Sequence, residues 1–162
     1  MTRFLADASA LIALASIGEL NVLQAILGTV HTTDVVLAES NREEHPERLA
    51  IEDAVALGWL VVVPSKGDPG ALRVFGLDRG EASLFQAAQA DDVLILDEGN
   101  ARRYARAKSL KHVGVLGLLV AGARDGRVPE SRARRVVDGL ARSDFRMTAE
   151  LYRWAMDAIA RR

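Results

Sequence analysis

Short apolar runs alternate along the chain with stretches in which apolar residues recur every three or four positions, so strands and helices should alternate too. Arg3 to Ala6 reads as a buried strand ending at Asp7, and Ala8 to Ile17 follows with the spacing of a helix that has one apolar face. Gly18 breaks this helix, a second runs from Glu19 to Leu27, and Gly28 closes it. Val30-His31 predicts a brief second strand, after which Thr32 or Thr33 can cap a helix carrying Val35, Val36 and Glu39. Residues 41–47, with Pro46, form a polar connection to a further helix that ends near Leu57.

The β-branched run Leu60-Val61-Val62-Val63, stopped by Pro64, predicts a third strand, and Ser65 to Gly70 has the composition of a surface loop. Asp78-Arg79-Gly80-Glu81 has the spacing of a capping box that opens a helix over Ala82 to Ala90. Val93 to Leu96 predicts a fourth strand ending at Asp97-Glu98, a helix starts at Asn100, and His112-Val113 is a short last strand before the small-residue-rich helix Val115 to Ala123. Two more helices complete the chain. Strands that are nearly unbroken apolar runs belong in a parallel sheet covered on both faces. The expected fold is therefore α/β, with three α/β/α layers around a central parallel sheet of four to five strands, in one domain over residues 1–162 that includes the C-terminal helices.

Composition narrows the chemistry. With no cysteine in 162 residues, thiolate metal sites, disulfides and cysteine nucleophiles are excluded, and a cytoplasmic location fits. Val113 to Ala123 is too short to span a bilayer, and Asp7 interrupts the N-terminus before a signal-peptide core can form. The net charge of -1 hides a segregation: up to Glu98 there are 6 Lys+Arg against 16 Asp+Glu, and after it 15 against 6. This can set a cation-attracting pocket beside a polyanion-attracting surface, or merely pair acidic with basic helices.

Asp7 and Asp97 are each the first acid after an apolar strand, at the carboxyl ends where open parallel sheets bind ligands. If the two strands are neighbours, the carboxylates converge, and a hard divalent cation would relieve their repulsion. Glu81 sits at a helix start, where it either completes the capping box or serves as a ligand. Glu39 lies on an otherwise apolar segment and must reach solvent or a partner.

Leu5-Ala6-Asp7-Ala8-Ser9-Ala10-Leu11-Ile12, Glu39 after Val35-Val36-Leu37, Gly80-Glu81-Ala82, and Leu94-Ile95-Leu96-Asp97-Glu98 followed by Ala101-Arg102 together resemble a PIN domain, with all four elements in order. The likeness is greatest to the bacterial subgroup with Gly-Glu-Ala at the third acidic position, related to VapC-like toxins of type II toxin-antitoxin pairs. Residues 113–119, 126–129 and 145–152 extend it over nearly the whole chain. Three positions depart from the pattern: Asp78 stands where Gly is frequent, Thr33 where Pro is, and Val115 where Thr is. The resemblance implies that Asp7, Glu39, Glu81 and Asp97 share Mg²⁺ or Mn²⁺, and that RNA is hydrolysed to a 5′-phosphate and a 3′-hydroxyl. It further implies a cognate antitoxin and a homodimer, for which the apolar helices between Leu11 and Ile26 are a candidate surface.

Substrate contacts are sought close to these acids. Ser9 either caps its helix or hydrogen-bonds Asp7 or a water on the metal. Arg102 and Arg106 share a helix face with which to meet phosphates, although Arg102 is equally placed to pair with Asp97 or Glu98. Glu98 reads as a solvated turn residue, Arg132, Arg134 and Arg135 as a solvated face, and Tyr104 as the one aromatic near the basic run. His31, His45 and His112 are too scattered for ligand spacing. The other readings are a catalytically inactive partner-binding module, a non-toxin RNA-processing nuclease, and a phosphotransfer domain. The last expects a second Asp where Ser9 stands, or a late Lys at a strand end, whereas Lys111 precedes its strand.

Overall fold

A computed structural model describes residues 2–41 and 46–161; the middle of the polar connection, including His45, lies outside the described residues. Five strands form one parallel sheet: β1 (Phe4–Ala6), β2 (Val30–Thr33), β3 (Leu60–Val63), β4 (Val93–Ile95) and β5 (Lys111–Val113), in the order β3-β2-β1-β4-β5. Consecutive residues of the central strands, Leu5 with Ala6 and Leu94 with Ile95, are fully buried. Neighbouring strand residues point to opposite faces, so both faces are covered by helices, in the expected three-layer arrangement.

The helices are α1 (Ala8–Ser16), α2 (Val22–Leu27), α3 (Asp34–Ser40), α4 (Arg48–Ala56), α5 (Arg79–Ala87), α6 (Gly99–Ala107), α7 (Val115–Arg124), α8 (Glu130–Ala141) and α9 (Ala149–Ala160). Strand order runs outward from β1 through β2 to β3, then restarts on the other side with β4 and β5. The reversal falls between β1 and β4, which pair with Ala6 opposite Ile95. Asp7 and Asp97 therefore leave adjacent strands at the switch point, where diverging loops open a crevice.

Several boundaries differ from the sequence pattern. Strand β2 continues through Thr32 and Thr33 because their buried hydroxyls are satisfied: Thr32 Oγ1 donates to the Ala6 carbonyl at 2.9 Å, and Thr33 Oγ1 meets Ser83 Oγ at 2.6 Å. Thr33 also caps α3, accepting from Val36 N–H at 3.1 Å. Residues before Val22 turn rather than continue a helix, and Glu19 is held there by Arg132 at 3.0 Å. Helix α5 stops at Ala87, because Asp92 accepts from Gln89 N–H and from Arg3, tying the chain into a turn before β4. From the end of the segment read as a loop, Ser65 to Gly70, Pro69–Phe75 winds into 3₁₀ turns started by Asp68, which accepts from Gly70 N–H.

Leu11, Leu14, Leu20, Val22, Leu23 and Ile26 all belong to the hydrophobic core of their own chain. This corrects the idea that the stretch offers its apolar face to a second copy. Arg132, paired with Glu19, and Arg134, paired with Glu130, are likewise held rather than freely solvated. No helix among the described residues is long and apolar enough to cross a membrane.

Candidate active site

Four acids stand around the switch point, and each is anchored through one oxygen to a backbone N–H at a helix start. Asp7 caps α1, its Oδ1 accepting from Ala10 N–H at 2.9 Å. Glu81 Oε1 accepts from Asp78 N–H at 3.0 Å while Asp78 Oδ1 accepts from Glu81 N–H at 2.7 Å, so the expected capping box is present at α5. Glu39, near the end of α3, reaches the same helix start, where its Oε1 accepts from Gly80 N–H at 3.0 Å. Asp97 Oδ1 accepts from Val115 N–H, the first residue of α7, at 3.3 Å. Three helix N-termini thus hold carboxylates at one end of the sheet, where helix dipoles favour negative charge.

These anchors leave a second oxygen on the acids. Asp7 Oδ2, Glu81 Oε2 and Asp97 Oδ2 are buried with no hydrogen-bond partner. Buried acceptors are ordinarily paired, so three orphans on three neighbouring acids are oxygens able to accept an electropositive ligand. Among the described residues no three acidic or histidine side chains stand close enough to form a metal cluster as they are. The donor set nevertheless fits a hard divalent cation, which takes carboxylate oxygens together with waters.

Protonation equilibria carry the same mark. Burial pushes the Asp7 carboxyl well above the usual range, against the pull of the Ala10 N–H, and the charges of Asp97, Glu81 and Asp78 push it further. Burial raises Glu81 to about 7, with Asp78 and Glu98 adding repulsion. Asp97 is raised by burial to about 6, although Val115 N–H and the Arg102 charge oppose the change. The charges of Asp97 and Glu81 both act on Asp7, which puts the three in one electrostatic neighbourhood centred on Asp7.

Two glycines make room for the carboxylates. A Cβ at Gly80 would strike Glu39 Oε2, and one at Gly114 would lie 2.8 Å from Asp97 Oδ1. Gly80→Ala is expected to displace only the flexible end of Glu39, so the melting temperature should stay close to that of the parent. Mn²⁺ affinity, followed by calorimetry, should fall about 10–100-fold, the usual cost of disturbing a carboxylate around a metal.

Other sequence-derived candidates separate here. Ser9 is exposed and does not cap α1, because Asp7 does. It lines a groove that also contains Asp97, Glu98 and Arg102. Arg102 forms no ion pair within 4 Å of Asp97 or Glu98, yet its charge lowers the Asp97 pKa. Arg106 is exposed and lies outside the groove lining. Tyr104 packs against Phe75 and Phe85, with ring centroids at 5.3 and 4.7 Å, so it is committed to the fold. Sequence reasoning missed the backbone anchors at Gly80 and Val115, and it missed Glu47, Arg142, Arg146 and Trp154, which line the same groove as Asp97. The only advance signal was Leu151 and Trp154, three apart on α9 and off the buried face of Ala155, Ala158 and Ile159.

A parallel sheet whose switch point is lined by buried acids defines an α/β protein of the acid-centred kind. A family model described as a PIN domain matches residues 3–161, and the chain belongs to that family, whose members are generally nucleases. Neither the curated proteins nor the solved structures gave a match.

Proposed function

We propose that the chain is an Mg²⁺- or Mn²⁺-dependent endoribonuclease whose metal is held by Asp7, Glu39, Glu81 and Asp97, directly or through water. The observation that carries this reading is the set of three buried, unpartnered oxygens on Asp7, Glu81 and Asp97 at the sheet's switch point. A divalent cation bound there supplies an activated water and charge neutralisation at the phosphodiester. The chain's own residues do the rest. Backbone anchors at Ala10, Asp78, Gly80 and Val115 fix the carboxylates, so little reorganisation is needed when the cation arrives. Arg102 faces the same groove as Asp97 and supplies a cation to the substrate's phosphates.

Incubation of the purified chain with single-stranded and structured RNA tests this, using Mn²⁺, Mg²⁺ or chelator. Cleavage should need the metal and leave 5′-phosphate ends; cleavage that persists in chelator would contradict the reading. A role as the toxin of a toxin-antitoxin pair, acting in the cytoplasm, belongs to the same proposal, with an antitoxin protein and a second copy of the chain as partners. Its separate check is growth arrest on expression, relieved by a small protein encoded beside it.

A further inference from the structure

A groove of about 1180 Å³ opens beside the acids, lined from the β4 side by Asp97 and Arg102 and from the C-terminal part of the chain by Arg142, Arg146 and Trp154. Small-molecule sites generally occupy roughly 300–1,000 Å³. This one is larger, and it suits a segment of a polymer. Because Asp97 is part of its wall, whatever lies in the groove also lies against one of the four acids, which makes the substrate the natural occupant rather than a separate partner.

Trp154 is 47% exposed, although α9 is already anchored without it. Ala155, Ala158 and Ile159 are buried beneath the helix, and Tyr152 donates to Asp138 at 2.5 Å. A large aromatic surface is therefore left half in water on the groove wall, where a ligand can use it. The Arg102 Nε is buried with no hydrogen-bond partner. Guanidinium groups bind phosphate through paired N–H donors, and an indole face stacks on any base. Both needs are met by one ligand class, a strand whose bases are free to turn outward.

We propose, resting on the ribonuclease reading above, that single-stranded RNA follows this groove with a base stacked on Trp154 and its phosphates held by Arg102, Arg142 and Arg146. Trp154 is then a determinant of which strands bind: unpaired RNA enters, and a duplex, whose bases are stacked on one another, does not use the platform. The basic C-terminal half of the chain meets substrate here, next to acids contributed by the first half.

The chain carries its own reporter. Its two tryptophans are Trp59, 7% exposed in the core, and Trp154. A short oligouridylate labelled for anisotropy is titrated in chelator, where cleavage is absent. Binding should change the tryptophan emission of the parent, and this change should vanish in Trp154→Phe while affinity is largely kept. In Trp154→Ala affinity should drop about 10-fold, the scale of one lost stacking contact. Unchanged affinity in Trp154→Ala, or RNA binding with no response from Trp154, overturns the proposal. So does sedimentation showing an RNA-free dimer that Trp154→Ala dissociates, because a second copy would then cover the groove. Cleavage assays in Mn²⁺ separate this from the parent reading: RNA cut by the parent chain but not by Asp97→Asn keeps the nuclease even where Trp154 proves irrelevant.

Discussion

Asp7→Asn is expected to lower metal-dependent RNA cleavage by at least about 100-fold, with the fold intact by circular dichroism; Asp97→Asn should do the same. Each tenfold step corresponds to about 1.4 kcal/mol, and losing one charged ligand of a catalytic cation costs several kcal/mol, so the factor is a lower bound. The fold survives because asparagine keeps the oxygen that matters for structure. At position 7 it can still accept from Ala10 N–H and cap α1, a task at which Asn and Asp are equivalent. At position 97 it can still accept from Val115 N–H. What disappears is the charge on a buried oxygen that has no hydrogen-bond partner in the chain, offset at position 97 only by the Arg102 charge acting through space. A purely structural role for these acids predicts little change in cleavage, so rate and fold together separate the two accounts.

The second large effect is on stability. An acid whose pKa is higher in the folded than in the unfolded chain makes the folded chain bind more protons, so stability falls as pH rises between the two values. Glu81 moves from 4.5 to about 7 and Asp97 from 3.8 to about 6, and Asp7 shifts strongly in the same direction. In chelator the melting temperature should therefore drop by several degrees between about pH 4 and pH 7, at roughly 2–4 °C per kcal/mol for a chain of this size. Saturating Mn²⁺ should remove most of the decline, because a ligand that binds only the folded, ionised site adds stability. Asp7→Asn, measured in chelator, should flatten the curve by removing the most deeply buried of the charges.

Local signals made most of the fold legible. Leu60-Val61-Val62-Val63 is a strand because its β-branched run favours extended backbone even at a sheet edge where only Leu60 is buried, and Asp78 with Glu81 forms the capping box that its spacing requires. Asp7 and Asp97 could be placed at strand ends from their own neighbours, but their convergence needed the strand order, which only the folded sheet supplies. Thr32 and Thr33 look too polar for a buried strand until Ala6 and Ser83 are seen to satisfy them. Glu39 is the extreme case. Its anchor is a backbone N–H on another helix, 41 residues away, and nothing in its own segment points there. Glu81 was posed as cap or ligand, and its two oxygens divide the alternatives, one bonded to Asp78 and the other left buried and unpaired. The place of Arg142, Arg146 and Trp154 in the groove wall was hidden for the same reason as that of Glu39: proximity to Asp97 exists only after the last two helices have packed.

Whether these carboxylates hold a divalent cation is measured directly by calorimetric titration of Mn²⁺ into the metal-free chain. Performed between about pH 6 and 7 in buffers of different ionisation enthalpy, it also counts protons, since Glu81 at about 7 and Asp97 at about 6 must ionise as the cation enters. Binding with net proton release, lost in both Asp7→Asn and Asp97→Asn, is the predicted result. Absence of binding, or equal affinity in the parent chain and both variants, would contradict the account.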